Sequence, residues 1–266
     1  MAEKKFAYDE PRQALNARIS AHAKYSTFNL HQWIVGRFKI RHGDRLLDLG
    51  CGNGNYTELF WDLVRPSGHI MGTDKNSILI EEARAKYAQL PKDKVIFSVH
   101  NFDEPFSNLT GHYQWVFAIY SIYYTEDSLK IVQAVKEHLA SGGQFVVIGP
   151  GPQNTMDLMA FNFQLTGKRP GKEHVERIER IANEFRPLFV KLFSKKNVHY
   201  EEVDSVMEFP DYESYSEYYL STLLWRDSIK DFSEEKIRSI KEEMKKNIFL
   251  PAQIKKQMSC LVGSNE

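Results

Sequence analysis

Gly50, Gly52 and Gly54 stand at alternate positions between a short apolar run ending at Leu49 and an amphipathic stretch opening near Asn53. Glycine at such a junction permits a tight turn and lets backbone N–H groups approach a ligand closely. Asp74 closes the next apolar run, about 20 residues on, where a carboxylate can accept both hydroxyls of a ribose. The combination suits a nucleotide-like ligand, although a glycine triplet alone would serve equally as a turn. Asp48, just ahead of the glycines, is awkward beside a pyrophosphate and apt for an ammonium group. Asn55 follows Gly54 where the dinucleotide pattern wants glycine, and the Gly-Lys-Ser/Thr of a phosphate-binding loop is missing.

The elements that must position these groups follow from periodicity. Short apolar runs alternate with amphipathic stretches, as in βαβ units of a parallel sheet. A helical region over about Pro11 to Phe38 precedes strands at Arg45–Leu49, His69–Thr73, Lys94–Val99, Trp115–Ile119 and Gln144–Ile148. The helices between them are expected at Asn53–Val64, Asn76–Leu90 and Ser128–Leu139. Beyond Gly149-Pro150-Gly151-Pro152 the rhythm turns helical at Asn154–Leu165 and Glu173–Phe193. A strand at Val198–Phe209, an aromatic helix at Tyr212–Trp225, a charged helix at Ser233–Lys246 and a last strand around Ile254–Val262 complete the chain. The fold expected is α/β, a Rossmann-like seven-stranded, mostly parallel sheet with helices on both faces and a helical lid inserted after the fifth strand. Its divisions are an N-terminal helical lid region at 1–44, a ligand-binding core at 45–150, a helical insertion at 151–197, and a C-terminal part of the same sheet domain at 198–266.

Leu46-Leu47-Asp48-Leu49-Gly50-Cys51-Gly52-Asn53-Gly54 resembles the first motif of class I S-adenosylmethionine-dependent methyltransferases. Val95 to Phe106 is similar to that family's third-strand motif, Trp115 to Tyr124 to its fourth, and Ser141 to Ile148 to the turn into its fifth strand. The resemblance covers about Arg45 to Ile148 and implies S-adenosyl-L-methionine as cofactor. It implies that Asp48, Gly50, Cys51 and Gly52 wrap the methionine part, that Asp74 holds the ribose, and that Lys75 also binds the cofactor. Asn101 stands where the family usually has an acidic residue, and its amide oxygen can still accept from the adenine amino group. Phe102 would cover the adenine, while Ala118 and Ile119 line the cofactor. Tyr25 is a candidate lid residue over the methionine carboxylate.

On the acceptor side, Tyr120, Tyr123 and Tyr124 follow the fourth strand, at the sheet edge where ligands of open α/β folds bind. Tyr120 and Tyr124 are the candidates to contact the reacting groups; either could instead pack beneath the lid. His100 reads as a satisfied structural histidine and the Cys51 side chain as packed. Glu173 to Arg180, with His174, Arg177 and Arg180, reads as a solvated helix face, whereas Lys168 and Arg169 in a Gly/Pro-bounded loop could clamp an anionic substrate. Tyr212, Tyr215 and Tyr219 share a helical face, so core packing is expected, with an aromatic substrate wall as the alternative.

The 266 residues carry no formal net charge, which disfavours a partner bound mainly through phosphates. Two cysteines, Cys51 and Cys260, give neither a disulfide framework nor a metal cluster, and the polar N-terminus lacks an apolar leader. The expectation is a cytoplasmic enzyme with no metal and no membrane partner. It would methylate O, N or C of a small molecule in a lidded, aromatic-rich pocket. A tRNA or protein side-chain methyltransferase, or a cofactor-binding partner subunit without chemistry, are the alternatives.

Overall fold

The apolar runs of the first half lie side by side as parallel strands in the computed structural model, which describes residues 12–106, 111–248 and 252–266. The strands are β1 (Arg45–Leu49), β2 (His69–Asp74), β3 (Val95–Val99), β4 (Tyr113–Ile119), β5 (Leu139–Pro150), β6 (Val198–Phe209) and β7 (Ala252–Ser264). They form one seven-stranded sheet ordered β3-β2-β1-β4-β5-β7-β6, in which only β7 runs antiparallel to its neighbours. The expected Rossmann-like sheet is therefore present. Its strand order reverses between β1 and β4, and that switch point opens a crevice at the carboxyl ends of the strands.

Successive strand residues face opposite sides. Phe145 and Val147 enter one core cluster while Val146 and Ile148 enter another, and all four are fully buried. This is why β5 reads as a continuous apolar run. Helices α1 (Arg12–Tyr25), α2 (Leu30–Arg37), α3 (Thr57–Val64), α4 (Ser77–Lys86) and α5 (Ser128–Glu137) accompany the first five strands. Ile34 of α2, Phe60, Trp61 and Val64 of α3, and Ile80 and Ala83 of α4 cover one face. Ile131, Val132 and Val135 of α5 cover the other.

The expected N-terminal helix is two helices. Ser26 bridges to Met207 of β6, and the Thr27 N–H donates to the Val206 carbonyl at 2.8 Å. Asn29 then caps α2 by accepting from the Gln32 N–H at 3.0 Å. Residues 1–11 of the expected lid region lie outside the described residues.

After β5 come α6 (Met156–Thr166), α7 (Lys172–Arg180), a π turn (Ile181–Phe185) and α8 (Arg186–Phe193). Pro187 lacks the N–H that a regular α-helix would donate four residues back, and the widened turn sits just ahead of it. Ile181, Phe185, Phe189 and Phe193 are buried under the sheet beside β5 and β7. The C-terminal half of the expected 151–197 lid is thus core. The cap is assembled from two places: α6 joins α9 (Tyr212–Ser221), α10 (Leu223–Ser228) and α11 (Glu234–Asn247), which intervene between β6 and β7. Segment 198–266 is accordingly as much cap as sheet. Thr222 breaks the expected aromatic helix in two, its hydroxyl capping α10 through the Trp225 N–H at 3.2 Å.

One buried polar knot joins this cap. The Tyr219 hydroxyl donates to Asn162 Oδ1 at 2.8 Å, and Asn162 Nδ2 donates to Ser228 Oγ at 2.9 Å. Tyr219 and Asn162 are fully buried, so Tyr219→Phe strands one acceptor. It is expected to cost about 1–3 kcal/mol, read as a lowered thermal midpoint.

Candidate functional site

At the switch point the chain leaves β1 with Gly50 and Gly52 in the left-handed region, at φ +74° and +57°. The Gly50 and Cys51 N–H groups both donate to the Thr73 carbonyl of β2, at 2.7 and 2.9 Å. Asp74 fixes the next residue: its Oδ2 accepts from the Gly52 N–H at 3.0 Å and its Oδ1 from the Asn76 N–H at 2.8 Å. The loop occupies residues 51–56 before α3 begins at Thr57, later than the helix start expected at Asn53. A Cβ at Gly52 would stand in open space, with no heavy atom within 4 Å.

Asp48 is 2% exposed, and its Oδ2 has no hydrogen-bond partner. Burial first, and then the charge of Asp74, push its carboxyl up to about 7. A buried carboxylate with a free oxygen is costly unless a cation completes it. Cys51 packs against Gly72 and Phe97; burial and the two carboxylates hold its thiol protonated.

Phe102 lies beside the loop, its ring 3.7 Å from where a Cβ on Gly50 would sit. The Asn101 side-chain oxygen accepts from the Asp103 N–H at 3.2 Å, so part of its accepting capacity is spent locally. His100 is not the satisfied histidine expected. It is 7% exposed, it packs on Phe106, and its Nε2 is buried with no partner. Burial lowers its pKa and keeps the ring neutral. Ala118 and Ile119 are buried in β4, and Lys75 is exposed at the rim just after Asp74.

β4 ends at Tyr120, which is held at φ +52°, uncommon for a residue with a side chain. Its N–H donates to the Ile148 carbonyl at 2.7 Å. Ser121 then ties β4 to the loop, donating to the Leu49 carbonyl at 2.5 Å. Tyr123 and Tyr124 form a single helical turn, their ring centroids 4.7 Å apart. Arg180 locks that turn: it donates to the Tyr123 and Thr125 carbonyls at 2.9 and 2.7 Å, to Ser128 Oγ at 2.9 Å and to Glu184 at 2.7 Å. Arg177, one helical turn earlier, lies 5.7 Å from the Tyr124 ring centroid.

Three side chains join this site without a motif to announce them. The Tyr56 phenol, at the end of the loop, is raised by burial, then by Tyr120 and Asp48. His31 of α2 lies 5.0 Å from the Tyr56 ring. Burial of the hydroxyl, and then Tyr218 of α9, raise the Tyr120 phenol, although the residue as a whole is 44% exposed. Tyr25 is engaged elsewhere, packed 5.0 Å from Phe209 in the cap core. His31 thus lies against the loop from the N-terminal region. Lys168 and Arg169 are exposed and stack on Phe232 and Phe163. No group of three or more metal-ligating side chains occurs among the described residues. No described helix is long and apolar enough to cross a membrane.

The model of a family described as a methyltransferase domain matches residues 40–189, more than half of the chain. The demethylmenaquinone methyltransferase of Symbiobacterium thermophilum is 34% identical over 82 residues, covering 30% of this chain and 33% of that protein. The tRNA U34 carboxymethyltransferase of Pseudomonas fluorescens is 29% identical over 106 residues, covering 40% and 32% respectively. The matched segment thus spans about a third of the length of these curated relatives. Among solved structures, the YcgJ protein of Bacillus subtilis superposes with a TM-score of 0.56 at 16% identity, covering 89% of this chain and 97% of that one. The fold is shared with that protein, the matched segment contains the glycine loop, Asp74 and the β4 tyrosines, and the chain belongs to the methyltransferase-domain family, the class I S-adenosylmethionine-dependent enzymes.

Proposed function

We propose that this enzyme methylates O, N or C of a small-molecule acceptor beneath the helical cap, with S-adenosylmethionine as the methyl donor. The observation that carries this reading is the buried, unpartnered Oδ2 of Asp48 beside the glycine loop. It fits the ammonium of the cofactor's methionine part, and the open space at Gly52 fits close approach of the ligand to backbone. When bound, the cofactor supplies an electrophilic methyl group on a sulfonium.

The chain's own residues do the rest. Asp74 would accept the ribose hydroxyls while keeping the Gly52 N–H in place. Phe102 would cover the adenine, with Asn101 and the neutral His100 as polar neighbours. Tyr120 and Tyr124 would orient the acceptor; their position at the strand end favours alignment and exclusion of water over proton removal. Consistent with that, the Tyr120 phenol is raised, while His22 and His174 of the roof are lowered to about 3 and about 4. Neither histidine is a strong base. The name of the quinone-methylating relative supports a small-molecule acceptor. With both cysteines free and buried, we place the enzyme in the cytoplasm.

Calorimetry with S-adenosylmethionine and S-adenosylhomocysteine tests the reading. Asp74→Ala should weaken both by about a hundredfold, since two hydrogen bonds to a charged group are lost. Unchanged affinity in that variant would sink the assignment. Transfer of a labelled methyl group to tRNA, but to no small metabolite, would overturn the acceptor class.

A further inference from the structure

Arg177 and Arg180 are both at least nine-tenths buried on one helix, yet they differ in their partners. Arg180 is saturated by carbonyls, Ser128 and the Glu184 carboxylate. Arg177 has no carboxylate within 4.0 Å among the described residues. Its contacts are the neutral ring of His174, to which it donates at 3.5 Å, and the face of Tyr124. A buried guanidinium ordinarily has an anion.

The surroundings are cationic as well. Lys256 of β7 donates to the Tyr218 hydroxyl at 3.3 Å and has no carboxylate partner among the described residues. Arg18 of α1 donates to the Ser221 carbonyl at 2.8 Å. The His22 ring lies 5.9 Å from that of Tyr218, and burial, then Lys256 and Arg18, lower its pKa to about 3. Asp227, whose charge acts on His174, is paired with Lys230 at 3.1 Å. Asp48 and Asp74 thus stand at the glycine loop, while Arg177 lies against Tyr124 and Lys256 against Tyr218.

We propose that the acceptor carries a carboxylate, held by the planar fork of Arg177 with Lys256 as the second positive group. This rests on the methyl-transfer reading, which supplies the reason for an acceptor here. A guanidinium engages a carboxylate through two parallel hydrogen bonds, and Tyr124 beneath it suits an aromatic or flat body. The positive charge of both groups also attracts such an acceptor.

The test is calorimetry on the full chain, both saturated with S-adenosylhomocysteine and free. Benzoate and 4-hydroxybenzoate are titrated against benzamide and 4-hydroxybenzamide, with inorganic phosphate as a further probe. The acids are expected to bind at least tenfold more tightly than the amides. Arg177→Gln should abolish that preference, Arg177→Lys should keep part of it, and Lys256→Gln should reduce it. Affinity for S-adenosylhomocysteine should stay constant across the variants, which also certifies their folding. Acids no tighter than amides, or a preference that survives Arg177→Gln, overturns the assignment, as does phosphate binding more tightly than either acid. Failure of the unmodified protein to bind S-adenosylhomocysteine is a separate result. It would strike the methyl-transfer reading, while the free-protein titrations still decide whether Arg177 holds a carboxylate.

Discussion

Asp48→Asn is expected to make the protein more stable and a poorer binder of its cofactor at the same time. The Asp48 carboxyl is buried and raised from 3.8 to about 7, by desolvation first and by Asp74 second. Between about pH 4 and pH 7 the unfolded chain has lost this proton while the folded chain keeps it. The unfolded state therefore binds fewer protons, and stability falls as pH rises through that window. The contribution is fully present below about pH 4 and gone above about pH 7. Asparagine removes the penalty, so at pH 8 the variant should be more stable by roughly 2–4 kcal/mol, and at pH 4 by nearly nothing. Binding moves the other way. An ammonium beside Asp48 needs the ionised carboxylate, so affinity for S-adenosylhomocysteine should drop ten- to a hundredfold in Asp48→Asn at pH 8. In the unmodified protein it should weaken as pH falls below 7, with proton release visible when calorimetry is repeated in buffers of different ionisation enthalpy. Denaturant melts at the two pH values check the first half. A variant with unaltered stability and affinity would show that Asp48 faces no ammonium.

The glycine loop, Asp48 and Asp74 were legible because they are contiguous with strands whose apolar runs identify themselves. Backbone geometry alone carries the loop from β1 to Asp74, so local sequence suffices to place it. The acceptor wall was not legible for the opposite reason. Arg177 and Arg180 lie three residues apart on one helix and look alike in sequence. Their roles are separated only by which of them meets the Tyr123 and Thr125 carbonyls, a contact spanning more than fifty positions. The same holds for Tyr218 and Tyr219: one turns to Lys256 and the site, while the neighbouring residue turns to Asn162 in the cap core. Periodicity marked both as helical and could not say which side was which. It also assigned the whole segment after β5 to a lid. Only the burial of Phe185, Phe189 and Phe193 separates the sheet-covering half from the cap, which draws its remaining helices from beyond β6.

Gly50→Ala should be severely damaging. Its Cβ would fall 2.4 Å from Ser121 Cβ and 2.9 Å from Ser121 Oγ, well inside any real contact. Neither side can yield cheaply. Ser121 is held by its bond to the Leu49 carbonyl, and the Gly50 and Cys51 N–H groups are both committed to Thr73. The left-handed φ adds about 1–2 kcal/mol for any residue with a Cβ. Together the collision and the backbone should cost roughly 3–5 kcal/mol, with loss of detectable S-adenosylhomocysteine binding. Gly52→Ala separates the two causes. It shares the left-handed backbone but meets nothing within 4 Å, so it should lose only the backbone part of the stability. Its methyl would still stand in the ligand's space, so binding should fall at least tenfold in a protein that remains folded. Ser121→Gly should then rescue Gly50→Ala, since removing the opposing Cβ relieves the collision, and should leave Gly52→Ala unrescued. A rescue of both, or of neither, would place the strain elsewhere than between the loop and the end of β4. The expected pattern ties ligand capture to the contact between Ser121, at the end of the acceptor-side strand, and the cofactor-side loop.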